Sequence, residues 1–250
     1  MLATLLLLTG CADDPVITGK VQDIWGNPLE GAEVRMKGED SPARTGTDGQ
    51  FSFPAKEGEL SFRAEAGGHI HEVESLVFSP ESEESPPLVI QLYPSPEGTG
   101  FFAVGEEGYL PLKGQKAKRI ATPLQAFHGL SNVGDTKLGS NPEILFHTSL
   151  RKEQIRQIDL KLNRLEFKEH AEVTGLMGSE KVEVDLWVAT TRADFKLKGM
   201  NEEKMFLISF DALEKGIYAF HSGNMLTSSD PDAQPSQPDE LQVAYPFELN

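Results

Sequence analysis

The chain has 250 residues, with 23 basic and 39 acidic side chains, a formal net charge of −16 and one cysteine. That length suits one large domain or two ordinary ones. The acidity makes nucleic acid and anionic headgroups poor partners, because both need positive charge. A single cysteine excludes intramolecular disulfides and cysteine-based metal sites.

Residues 1–10, MLATLLLLTG, form an apolar run that stops at Cys11. A membrane span needs about 20 apolar residues, so the run suits the hydrophobic stretch of a signal peptide, although no Lys or Arg precedes it. Leu8-Thr9-Gly10-Cys11 resembles the lipobox of bacterial lipoproteins, in which small residues lead into an obligatory cysteine. The resemblance implies recognition by signal peptidase through Leu8, Thr9 and Gly10, a diacylglyceryl group on the Cys11 thiol, and acylation of the new amine. Ala12, where an Asp would resemble an inner-membrane retention signal, implies the outer membrane in a Gram-negative envelope. The plain alternative is a small buried cysteine beside an N-terminal strand. Residues 11–15 read as a tether, which spans at most ~17 Å when extended. Residues 11–94 hold six basic and sixteen acidic residues, a net charge of −10 that disfavours adhesion to headgroups.

Over residues 16–93, short alternating runs are separated by Gly, Pro and Asp clusters every eight to twelve residues. Val34/Met36, Phe51/Phe53, Leu60/Phe62 and Leu88/Ile90/Leu92 each place apolar side chains at every second position, as half-buried strands require. Asn27-Pro28 and Asp48-Gly49 supply turns. The pattern predicts an all-β sandwich. The segments GKVQDIWGNPLEGAEVRM, TGTDGQFSF and EGELSFRAEAGGH resemble the carboxypeptidase regulatory-like domain, a transthyretin-like Greek-key sandwich. Gly19, Val21, Asp23, Gly26, Pro28, Leu29, Gly31, Ala32 and Val34 carry the first part of the motif. Thr47, Asp48, Gly49, Phe51, Phe53 and Gly68 carry the rest. His69 and Leu60 stand where the family usually has Tyr. The resemblance covers about a third of the chain and implies a module that accompanies chemistry without performing it.

Residues 94–100 read as a linker, and residues 101–250 as a second β-rich, antiparallel sandwich-like domain. Val182, Val184, Leu186 and Val188 alternate with Glu183, Asp185 and Trp187. Ile158, Leu160 and Leu162 alternate likewise. Met205–Phe210 is apolar on both faces and fits a central strand, Ile217–Phe220 is another strand, and Arg151–Arg156 is a short helical turn. Residues 227–240 lack basic groups and apolar content and predict a mobile loop. Residues 241–249 alternate through Leu241, Val243, Tyr245, Phe247 and Leu249, with Pro246 placing the strand at a sheet edge. That strand either returns to its own domain or adds to a partner's sheet.

No segment compels a reaction. Gly98-Thr99-Gly100-Phe101-Phe102-Ala103 fits a loose dinucleotide fingerprint, but an alternating strand follows it where a helix N-terminus is needed. Gly129–Gly134 has one residue too many for a nucleophile elbow. His69 and His71 share a strand face and offer two metal ligands, with His128, His147, His170 or His221 as a third. The commoner case is a pair of rim histidines. His147 reads as part-buried and hydrogen-bonded. Trp25, in a turn, and Trp187, on an acidic strand face, are candidate contacts for a sugar or a protein, or else cover the seam between the domains. Residues 151–168 hold six basic residues against three acidic ones.

The sequence therefore predicts a non-catalytic, lipid-anchored envelope protein without a cofactor, serving as an accessory or binding subunit of an envelope assembly. A glycan-binding surface lipoprotein using Trp25 or Trp187 is the alternative. A metal-dependent enzyme around His69 and His71 is a third reading.

Overall fold

In the computed structural model, which describes residues 15–79, 88–176, 178–202, 204–223, 225–226 and 237–250, the chain divides at Ser95–Pro96 into two units. Cys11 and the lipobox residues Leu8, Thr9 and Gly10 lie outside the described residues.

The first unit contains β1 (Val16–Asp23), β2 (Glu33–Met36), β3 (Ala43–Arg44), β4 (Gln50–Pro54), β5 (Gly58–Glu65), β6 (His69–Ile70), β7 (Glu72–Phe78) and β8 (Leu88–Pro94). They form two four-stranded sheets, ordered β4-β1-β8-β6 and β3-β2-β5-β7. The β1–β8 pair is parallel and the other pairs are antiparallel. Alternation sends Ile17, Val21, Val34, Met36, Phe62 and Ile90 into one core between the sheets. Phe51, Phe53 and Phe62 meet there with ring centroids 5.9–6.1 Å apart. Each such ring contributes roughly 1.5–3 kcal/mol by leaving water.

Turn chemistry fixes the register of this sandwich. Asp23 Oδ1 accepts the backbone N–H groups of Trp25 and Asn27 at 2.9 and 2.8 Å, and Oδ2 accepts the Asn27 side-chain amide at 2.8 Å. Thr45 is buried, donates to the Leu29 carbonyl and accepts the Ala32 N–H at 2.8 Å. Gly49 has φ 77°, and a Cβ there would lie 2.4 Å from the Val21 carbonyl oxygen. Only glycine satisfies both conditions.

The second unit contains β9 (Gly100–Val104), β10 (Tyr109–Pro111), β11 (Lys118–Ala121), β12 (Ala126–Gly129), β13 (Lys137–Leu138) and β14 (Ile144–His147). There follow α1 (Lys152–Ile155), β15 (Leu160–Gly175), β16 (Gly178–Ala193), β17 (Lys196–Gly199), β18 (Met205–Ser209), β19 (Gly216–Ser222) and β20 (Tyr245–Leu249). Two five-stranded sheets, β10-β9-β14-β18-β17 and β13-β20-β19-β15-β16, enclose a core. It includes Phe101, Phe146, Ile208, Leu162, Phe220 and Phe247. Phe101 stacks on Phe146 and Phe220 at 4.3 and 4.6 Å. The whole is all-β, as the alternation predicts, with β18 in an inner position. The β13–β20 pair is parallel, a departure from the antiparallel expectation.

Three boundaries differ from the sequence reading. The linker is shorter than residues 94–100: Pro94 ends β8, while the Gly98 carbonyl meets His147 Nδ1 at 2.5 Å inside the second unit. Of the predicted loop, residues 227–236 lie outside the described residues, but Asp239–Leu241 form a 3-10 turn. Glu240 holds that turn by accepting from the Thr148 and Ser149 hydroxyls and the Ser149 N–H at 2.7–2.8 Å.

The third correction concerns residues 241–249, whose strand begins only at Tyr245 and lies between β19 and β13. Its outer flank is occupied inside the unit. Ala244 exchanges backbone bonds with Gln115 at 2.7 and 2.9 Å, Glu248 N–H donates to Thr136 and Asn250 N–H to Leu138. Pro246 shares that flank, between these contacts, so its missing N–H costs no ladder bond. The strand stays in its own domain, and the strand-addition reading for it falls.

Candidate functional site

Two hairpins of the second unit converge at one end. β15 pairs with β19 only over Leu160–Leu165, so the rest of the β15–β16 hairpin leaves the sandwich. The β11–β12 hairpin covers one face of that extension. Phe127, Ala171, Val173, Val184 and Leu186 make a small core between them, with Ile120, Val182 and Val188 packed against it. β16 carries one residue more than β15 between the Lys168–Leu186 and His170–Glu183 pairs. Asp185, at φ 44°, lies in this bulge, which sharpens the local twist. Backbone docking is direct: Leu130 and Trp187 exchange two bonds at 2.8 and 2.9 Å. Gly129 makes the approach possible, since a Cβ there would lie 2.4 Å from the Trp187 carbonyl oxygen.

At the tips the apolar surface faces solvent. Leu176 is fully exposed beside the β15–β16 turn, and Leu124, in the turn between β11 and β12, is 64% exposed. Leu124 lies against Gly175, where a Cβ would be 2.8 Å from its Cδ1. These residues, with Pro123, Val173 and Val182, line an open cavity of about 390 Å³ whose polar rim includes Thr122, Ser179 and Glu180. Such a surface suits an apolar contact and has no arrangement of acid, base and nucleophile. Alternation makes these strands legible, but which turn residues stay uncovered depends on how the two hairpins dock.

The structure separates the residues singled out from sequence. Trp187 is not exposed on an acidic face: it is half-buried and packs against a small core that includes Leu130, Leu165, Met225 and Leu226. The segment after β12 and the residues after β19 cover that side of the sheet. Beside it lies Phe167, which sequence reasoning missed. Phe167 is 52% exposed, with its ring 5.4 Å from Trp187 at 55°. Trp25 is half-buried in the turn that Asp23 holds.

The histidines are dispersed in role. His69 Nδ1 lies 2.9 Å from the Gly67 carbonyl, and His71 follows β6 in a half-buried position. His128 is buried, and burial with nearby Arg119 lowers its pKa. His170 lies 3.7 Å from Glu169. His221 Nε2 lies 2.9 Å from Asn163 Oδ1. Among the described residues no group of three His, Cys, Asp or Glu side chains is arranged to hold a metal ion. Gly98–Ala103 enters β9, which gives phosphate no helix N-terminus. Among the described residues no helix is long and apolar enough to cross a membrane.

No family model and no curated protein matches the chain. Among solved structures, it is similar to a DUF3823 family protein from Parabacteroides merdae, at 11% identity over 94% of this chain and 98% of that one, with a TM-score of 0.23. It is also similar to BcpA, the major pilin subunit of Bacillus cereus, at 8% identity over 94% and 68%, with a TM-score of 0.23. A third likeness is to a candidate carbohydrate binding protein from Bacteroides uniformis, at 13% identity over 84% and 88%, with a TM-score of 0.22. At these scores the likenesses carry no conclusion about ligand or partner.

Proposed function

We propose that the chain is a non-catalytic, lipid-anchored protein of the bacterial envelope, an accessory or binding subunit that meets a protein partner through the tip of its two converging hairpins. The observation that carries this reading is the pair of exposed leucines, Leu124 and Leu176, over an apolar cavity of about 390 Å³. Contiguous apolar surface of this kind marks contact sites more often than isolated exposed side chains do. The lipobox resemblance at Cys11 supplies the anchor, and the regulatory-like resemblance of residues 16–93 supplies a module without chemistry.

The test places a photo-crosslinking side chain at position 176 of the full-length protein in its own cells, followed by mass spectrometry. One reproducible envelope protein is expected, lost in a Leu124→Asp variant that keeps its circular dichroism. No adduct from a folded, native-level protein overturns the contact. In the same cells Cys11→Ser should move the protein from the membrane pellet to the soluble fraction, and retention in the pellet overturns the anchor.

A second reading, glycan binding, is favoured by the aromatic pair Phe167 and Trp187, because an exposed ring braced by another is a stacking platform. Phe167→Ala should then abolish retention on an envelope polysaccharide column without lowering Tm. Unchanged retention ends that reading.

A further inference from the structure

One edge of the sheet β10-β9-β14-β18-β17 is β17, which among the described residues pairs only with β18. Met200 N–H donates to the Met205 carbonyl. By antiparallel alternation, Lys198 and Lys196 then also bond inward, while the N–H and C=O groups of Leu197 and Gly199 point out from the edge. No described residue bonds to them.

Beside this edge runs a groove against α1. One part, of about 260 Å³, is floored by Ile155, Ile158, Leu160, Phe195, Leu197 and Phe206. A second part, of about 180 Å³, continues along Gly199 and Met200. The Lys152 side chain crosses between them, with Cε and Nζ 3.4 Å from where a Gly199 Cβ would be. Gly199 has no left-handed φ to explain it. A glycine in a strand without that need often marks a close approach, which here is that of the Lys152 side chain over the edge.

Charge selects the occupant. The cations Lys152, Arg156 and Lys198 have no carboxylate partner among the described residues, whereas Lys196 pairs with Asp211. Lys152 and Arg156 line the apolar part of the groove, whose described lining holds no carboxylate, and attract an acidic partner there, whereas Glu153 and Glu202 line the part beyond Gly199. The same lysines oppose a second copy of this edge, since pairing two would set like charges together. A cavity of this size holds one bulky side chain and is smaller than a ligand pocket of ordinary size.

We infer that the second unit takes up an extended acidic peptide of a partner protein, which adds as a sixth strand along Leu197–Gly199 and inserts one apolar side chain beneath Lys152. The inference rests on the reading of the chain as a binding subunit and names a further partner class for it.

The test titrates the isotope-labelled full chain with a seven-residue peptide of alternating glutamates around a central phenylalanine, against the same peptide with lysine for glutamate. Amide exchange should slow at Leu197 and Gly199 but not at Lys196 and Lys198. The lysine peptide should bind at least about tenfold more weakly, and so should the acidic peptide to the Lys152→Glu/Arg156→Glu variant, a difference of about 1.4 kcal/mol. Binding without alternating protection, no preference for the acidic peptide, or dimerisation through β17 overturns the inference. If partners crosslink at position 176 while the peptide goes unbound, this inference fails alone. If the cell yields no partner at all, the binding-subunit reading fails with it.

Discussion

The imidazole of His221 is 1% exposed on β19, and its Nε2 faces the Asn163 side-chain oxygen. That acceptor requires a proton on Nε2, which leaves Nδ1 as the bare nitrogen, buried without a hydrogen-bond partner among the described residues. Charging the ring would bury a cation, and that burial, outweighing a backbone interaction at Ser222 that favours the charged form, holds the pKa down at about 4. An unfolded histidine titrates near 6.5, so between pH 6.5 and 4 the unfolded chain binds the extra proton. The stabilisation is complete above pH 6.5 and is lost as pH falls towards 4. From pH 7 to 5 the loss amounts to about 2 kcal/mol. Urea titrations at the two pH values should show it, and His221→Gln should flatten it. An equal pH dependence in the variant refutes the assignment. Glu240 acts in a lower window. Burial alone would raise its pKa, but the hydrogen bonds from Ser149 and Thr148 outweigh burial and lower it, so its contribution fades only below about 4.5.

At the scale of elements, the β11–β12 hairpin depends on close backbone approach to β16. Gly129→Ala would drive a methyl into the Trp187 carbonyl, and overpacking of that kind costs roughly 1–3 kcal/mol. Thermal denaturation of the full chain should show a Tm lower by several degrees, and amide exchange should quicken at Leu130 and Trp187. An unchanged Tm would mean that the hairpin does not need this contact. The alternation of Val182, Val184, Leu186 and Val188 was legible in the sequence because one face of the strand meets β12. The burial of Trp187 was not, since the small core it packs against is assembled from segments distant in sequence, among them Leu130 and Met225–Leu226. Pro246 misled for a related reason. A proline excludes only the bond on its own flank, and contacts from Gln115, Thr136 and Leu138 protect that flank without using it. The exposed tip at Leu124 and Leu176 and the open edge of β17 were equally hidden. They are defined by what fails to cover them, a property of docking and not of local pattern.

For the whole molecule, each unit has its own core, which predicts that each folds alone. Their charge differs. Residues 15–95 hold six basic and fourteen acidic residues, a net charge of −8, while residues 96–250 hold 17 and 23, a net charge of −6 over nearly twice the length. Self-repulsion destabilises a compact state, and salt relieves it by shortening the Debye length from about 30 Å at 0.01 M to about 10 Å at 0.1 M. Fragments 15–95 and 96–250 should each unfold cooperatively by circular dichroism. Moving from 10 to 300 mM NaCl should raise the Tm of the first by a few degrees and that of the second by less than half as much. A fragment without a cooperative transition would show that its core is completed by the other. Equal salt shifts would place the decisive charges in local pairs, such as Arg63–Glu65 and Arg164–Glu214, and not in the summed field of the first unit.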